Sequence, residues 1–121
     1  MITIAIVEDD NEYRQQYREY LGKMETQLGE SFQIREFTDG DGILASYKAD
    51  FDIILMDIEL GSESVSGIKL AQRINLLNPN TQIIFISQYL QYASSVYETD
   101  HIYFVYKQQM EEYLPKALSA S

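Results

Sequence analysis

Four apolar stretches of this chain each end in a residue that can do chemistry. The acid pair Glu8-Asp9 follows Ile2 to Val7, and Asp57 ends Ile53-Ile54-Leu55-Met56. The hydroxyl of Ser87 ends Ile83-Ile84-Phe85-Ile86, and Lys107 follows His101 to Tyr106. If the stretches are parallel strands, their C-terminal ends share one edge of a sheet, where open α/β sheets bind ligands. Three carboxylates gathered there would repel each other and raise one another's pKa unless a cation joined them. Oxygen donors without His or Cys select a hard divalent ion, Mg²⁺ first and Mn²⁺ as its substitute, which keeps several waters and bridges carboxylates to phosphate oxygens. Lys107 and the Ser87 hydroxyl would then neutralise and hydrogen-bond the other oxygens of a phosphoryl group, the positioning and electrostatic work of phosphoryl transfer. Asp57 is the natural nucleophile, since aspartyl phosphate is an established covalent intermediate.

Singly, each residue has a simpler explanation. Asp57 can cap a turn or a helix, Glu8-Asp9-Asp10 can be a solvated helix start, Ser87 an N-cap and Lys107 a surface cation. What favours a site is their joint occurrence at the ends of four different apolar strands.

The elements that must position them alternate. A strand from Ile2 to Val7 is followed by a helix from Asn11 to about Leu28, with Tyr13, Tyr17, Tyr20, Leu21, Met24 and Leu28 at helical spacing, acids at its start where the helix dipole favours them, and Gly29 as its stop. Ser31 to Phe37 alternates as a strand with one wetter face, which suits a sheet edge. Asp39 to Lys48 forms a short helix weakened by Gly40 and Gly42. After the Asp57 strand, a helix from about Val65 to Leu77 carries Ile68, Leu70, Ala71, Ile74 and Leu77, and Asn78-Pro79-Asn80 turns the chain. Gln82 to Ser87 is a strand, Gln88 to Tyr97 a helix, His101 to Tyr106 a fifth strand, and Gln109 to Leu118 a last helix with Pro115 in an awkward place. Five βα units in succession imply a parallel sheet with helices on both faces.

Composition narrows the function classes. The 121 residues are one domain's worth, residues 1–121, with 45% hydrophobic residues and no apolar run near the roughly 20 residues of a membrane span. The apolar N-terminus has no basic lead or cleavage site, so it reads as a strand. The lack of cysteine excludes disulfides and thiolate metal sites and fits a cytoplasmic location. A net charge of −10 and a pI near 4.3 would repel a nucleic-acid backbone.

The segments IAIVEDD, ILMDIEL, IIFIS and FVYK resemble the receiver domains of bacterial two-component response regulators, and the likeness runs through essentially the whole chain. The resemblance implies an α/β (βα)5 flavodoxin-like fold whose five-stranded parallel sheet has the order 2-1-3-4-5, an order long known for such a receiver. It implies Asp57 as phosphoacceptor, Asp9 as a direct Mg²⁺ ligand, Glu8 acting on the metal mainly through water, and the Glu59 backbone carbonyl completing the protein ligands. Ser87 becomes the switch hydroxyl, Phe104 the switch aromatic and Lys107 the phosphate-binding lysine. The implied partner is a sensor histidine kinase, with DNA reached only through an effector domain outside this chain. NPNTQIIFISQY and EEYLPKAL are similar to the receivers of LytTR-type transcription regulators. Tyr89, Tyr92, Tyr97, Tyr103, Tyr106 and Tyr113 fall in or near the fourth helix, fifth strand and fifth helix, which marks that face for a homodimer.

Some positions depart from the family pattern. Gly61 replaces a Pro, GSESVSG lengthens the loop by about two residues, Gln88 stands where a small residue is usual, and Gln108 replaces a Pro that is often cis. Other classes fit less well. A haloacid-dehalogenase-type phosphatase shares an acid two residues after its Asp, as in Asp57-Ile58-Glu59, but carries that motif on its first strand and has a cap. In a flavodoxin-like FMN carrier, Glu8-Asp9-Asp10 would repel the FMN phosphate. A docking module that takes no phosphate would not need the full set of charged residues.

Overall fold

Near-continuous apolar strands are what a parallel sheet covered on both faces requires, and the computed structural model has such a sheet at its centre. It describes residues 2–39, 42–43, 51–58, 66–88 and 103–119. The strands are β1 (Ile2–Val7), β2 (Phe32–Phe37), β3 (Ile53–Asp57), β4 (Gln82–Ser87) and β5 (Tyr103–Tyr106), all parallel and in the order β2-β1-β3-β4-β5. The expected order is therefore observed, and the half-polar β2 is an edge strand. The helices among the described residues are α1 (Asn11–Leu28), α2 (Ser66–Leu77) and α3 (Met110–Ser119). Most of the expected helix Asp39–Lys48, residues 89–97 of the helix expected from Gln88 to Tyr97, the first two residues of the strand expected from His101, Glu59 and the Gly61 loop lie outside the described residues.

Side chains alternate across a strand, and here the alternation sorts the core into two layers. Ile4, Ile6, Ile53, Leu55, Ile84, Ile86 and Val105 pack with Tyr17, Leu21 and Met24 of α1 and Met110, Leu114, Ala117 and Leu118 of α3. Ala5, Val7, Ile54, Met56, Ile83 and Phe85 face the other way, against Ile68, Leu70, Ala71 and Ile74 of α2. Each large side chain so buried contributes about 1.5–3 kcal/mol before the entropy of ordering is subtracted.

Asp10 caps α1 by accepting the Glu12 amide at 2.8 Å, and Gly29 ends the helix in the left-handed region, with φ 66°. Two expectations need correction. Leu28 and Leu77 fit their helical stripes in sequence, yet they are 49% and 62% exposed, because each is the last residue of its helix. Pro115 sits inside α3, the awkward place the sequence indicates, and withholds one amide from the carbonyl of the exposed Glu111. A 3-10 turn, Lys107–Gln109, joins β5 to α3.

Candidate functional site

Alternation also decides where the polar strand ends point. Glu8 continues the parity of Ile4 and Ile6, Asp57 that of Ile53 and Leu55, and Lys107 that of Val105, so all three emerge on the face covered by α1 and α3. Ser87 and Phe104 share parity with Phe85 and so belong to the α2 face. The residues that sequence places at one edge thus divide: the charged ones lie on one side of the sheet, and the hydroxyl and aromatic on the other.

Glu8, Asp57 and Lys107 are buried. The Lys107 Nζ lies 2.8 Å from Glu8 Oε1 and 3.7 Å from Asp57 Oδ1. The Tyr17 hydroxyl donates to the same Glu8 Oε1 at 2.8 Å, while Glu8 Oε2 takes the Asp10 amide at 3.4 Å. Lys107 also sits 3.9 Å from the centroid of the Tyr13 ring, a cation–π contact. Arg14 fixes the turn from β1 into α1, donating to the Glu8 carbonyl at 2.7 Å and to Asn11 at 3.2 Å and reaching Glu36 of β2 at 3.5 Å, where Arg18 also pairs.

Burial alone would push the Glu8 carboxyl up, but a hydrogen bond shared with Asp57, the bond and charge of Lys107 and the Tyr17 hydroxyl hold it below its ordinary value. Burial would lower Lys107, and the charges of Asp57 and Glu8 outweigh it and raise the ammonium. Lys107 stays cationic and Glu8 anionic. The Tyr17 hydroxyl is pushed well above the usual tyrosine value, first by burial and then by the charge of Glu8.

Glu8, Asp9 and Asp57 bring ligand oxygens within 4.8 Å of one another, Asp9 being the exposed member. The Lys107 ammonium lies against two of these acids, Glu8 and Asp57. The donor set is oxygen only. The clustering of three carboxylates and their donor chemistry both fit a divalent cation of the hard class.

Of the sequence-predicted residues, Glu8, Asp9, Asp57 and Lys107 come together. Ser87, fully buried, ends β4 beside Asp57, which is paired in register with its neighbour Ile86. Phe104 is level with Phe85 in the sheet, one pleat below Ser87, and packs partly buried against the α2-side core. Glu59 lies outside the described residues. Sequence reasoning missed Tyr13, Arg14 and Tyr17 as neighbours of the site. The signal was their position: Tyr13 and Tyr17 are one helical turn apart, directly after the acids.

A family model of the response regulator receiver domain matches residues 4–119. The chain belongs to this family. Among solved structures, this receiver is similar to the response regulator TrrA from Thermotoga maritima in complex with Mg²⁺ and BeF, at 23% identity over 100% of both chains, with a TM-score of 0.79. It is also similar to the RcsB response regulator of Salmonella typhimurium, at 25% identity and a TM-score of 0.83, with 98% of this chain matching 60% of that one. The response regulatory domain of mrkE from Klebsiella pneumoniae matches at 23% identity over 98% of this chain and 93% of that one, with a TM-score of 0.82. No curated protein sequence matches the receiver.

Proposed function

We propose that this receiver takes a phosphoryl group onto Asp57 from a phosphohistidine of a sensor kinase, in a reaction that needs Mg²⁺. The observation that carries this reading is the gathering of Glu8, Asp9 and Asp57 around one buried lysine. Asp9 and Asp57 would hold the ion directly, Glu8 through water, with the Glu59 carbonyl as a further ligand. When bound, the ion neutralises the charge on the transferring phosphoryl oxygens. An Asp57 carboxylate oxygen attacks phosphorus in line, the bond from phosphorus to the donor nitrogen breaks, and its electron pair leaves with the imidazole. Lys107, already poised between two carboxylates, turns its ammonium to a phosphoryl oxygen. The Ser87 hydroxyl donates to another, and Phe104 repacks as Ser87 moves.

The setting we propose is the cytoplasm, whose reducing conditions suit a chain without cysteine. No described helix is long and apolar enough to cross a membrane. The output is transcription control through an effector domain of the LytTR type, a reading supported by the NPNTQIIFISQY and EEYLPKAL segments, and phosphorylation promotes a homodimer through the face that includes β5 and α3. A charge of −10 leaves DNA contact to the effector.

Intact mass after incubation with Mg²⁺ and acetyl phosphate tests the central claim. The receiver should gain one phosphoryl group, Asp57→Asn should gain none, and Asp9→Ala should gain at least tenfold more slowly, since removing a direct ligand costs more than the 10–100-fold typical of outer-shell partners. Full labelling of Asp57→Asn, or labelling indifferent to chelator, would refute it.

A further inference from the structure

The first helix contributes two tyrosines to a site otherwise built from strand ends. Tyr17 is 1% exposed, and its ring fills the core with Leu21 and Ile4, a task phenylalanine would do without needing a partner for a hydroxyl. That hydroxyl is spent on Glu8 Oε1, the oxygen Lys107 also holds. Tyr13, stacked on Tyr17 with centroids 6.4 Å apart, turns its face to the Lys107 ammonium.

We propose that Tyr17 and Tyr13 are positioning residues of the site: the Tyr17 hydroxyl fixes which oxygen of Glu8 faces the ion, and the Tyr13 ring holds the Lys107 ammonium between Glu8 and Asp57. The roles are complementary, and they rest on the reading of Asp57 as phosphoacceptor. In the unphosphorylated site Glu8 Oε1 has two donors, Lys107 and Tyr17. When Lys107 turns to a phosphoryl oxygen, a fully buried carboxylate would lose a partner at large cost. Tyr17 stays. It keeps Oε1 bonded throughout the transfer, so that Oε2, which takes the Asp10 amide, would be the oxygen left to act on the ion through water. Tyr13 gives the departing ammonium a surface that attracts it without competing for its hydrogen bonds.

The two tyrosines predict separable effects. Tyr17→Phe keeps the ring and removes only the oxygen, so Mg²⁺ affinity of the unphosphorylated protein, followed by amide shifts at Asp9 and Asp57, should weaken about tenfold, at the lower end of what loss of an outer-shell partner does. Phosphorylation by acetyl phosphate should need correspondingly more Mg²⁺ and reach the wild-type rate at saturation. Tyr13→Leu should leave Mg²⁺ affinity alone and lower the saturated rate severalfold. Tyr20→Phe, a hydroxyl removed from the same helix but away from the acids, should change neither. Unchanged Mg²⁺ affinity in Tyr17→Phe, or an equal shift in Tyr20→Phe, overturns the role of Tyr17, and an unchanged saturated rate in Tyr13→Leu overturns that of Tyr13. If the wild-type receiver takes no phosphate at all, it is the phosphoacceptor reading that fails, and the amide titration still decides Tyr17.

Discussion

At the scale of single residues, Lys107 joins the parts of the site, touching Glu8, Asp57 and the Tyr13 ring while only 7% exposed. A buried cation at that position is tolerable because two carboxylates flank it, and two buried carboxylates are tolerable because of the cation. Tyr17 supplies a test at alkaline pH. Its hydroxyl titrates well above the ordinary value because of burial and the charge of Glu8. The folded state therefore holds this proton more tightly than the unfolded chain. The stability it contributes is complete below the unfolded value of about 10 and is lost as pH rises toward the folded one. Phenolate absorbance should show a tyrosine that ionises only as the protein unfolds, and Tyr17→Phe should remove that late step while leaving the earlier ones. A Tyr17 that ionised with the exposed tyrosines would contradict its burial beside Glu8. The sequence could not reveal this contact, because a tyrosine on an apolar helical stripe reads as core and the destination of its hydroxyl depends on which strand the helix crosses. The gathering of Glu8, Asp9, Asp57 and Lys107 was legible because each lies at or just past the end of an apolar run.

At the scale of elements, the strands were the most readable feature. Runs such as Ile83 to Ile86 must be buried on both faces, and only a parallel sheet between helices does that. Helix ends were less readable: periodicity continues through Leu28 and Leu77, although both are exposed as the last residues of their helices. The division of Ser87 and Phe104 from the charged residues followed from counting pleats, which needs the register as well as the strand. Where α2 meets β3, Gly67 donates its amide to the Ile58 carbonyl at 2.7 Å, and a Cβ there would lie 2.7 Å from Ile58 Cα and collide with the Asp57 carbonyl. Both obstacles are backbone and cannot swing aside. Gly67→Ala should therefore cost about 1–3 kcal/mol in denaturant unfolding and slow phosphorylation by displacing the end of β3. An alanine variant with wild-type stability and rate would show that the approach of α2 to Asp57 is not needed.

At the scale of the molecule, activation is a question of which surface changes. Of the face proposed for dimerisation, Tyr106 and Tyr113 are half-buried, and the Lys116 ammonium lies 4.8 Å from the Tyr113 centroid. Sedimentation should show a monomer that dimerises with Mg²⁺ and beryllofluoride, and Tyr113→Ala should weaken that dimer by about 1–2 kcal/mol, as loss of a significant interface aromatic does. A dimer indifferent to the substitution would move the interface elsewhere. The strand order has a consequence of another kind, in time. A ribosome delivers Glu8 first, Asp57 some fifty residues later and Lys107 last. β1 can pair with β2 and then β3 while the growing chain still lacks β5, so two acids come to lie side by side before their counter-ion has been made. Until residues 103–119 dock, the nascent sheet carries both an open edge at β4 and a group of acids without Lys107. Docking of β5 and α3 covers the β4 edge and brings Lys107 between Glu8 and Asp57 in the same step, so the charge proposed to meet the phosphoryl group also favours the docking of β5.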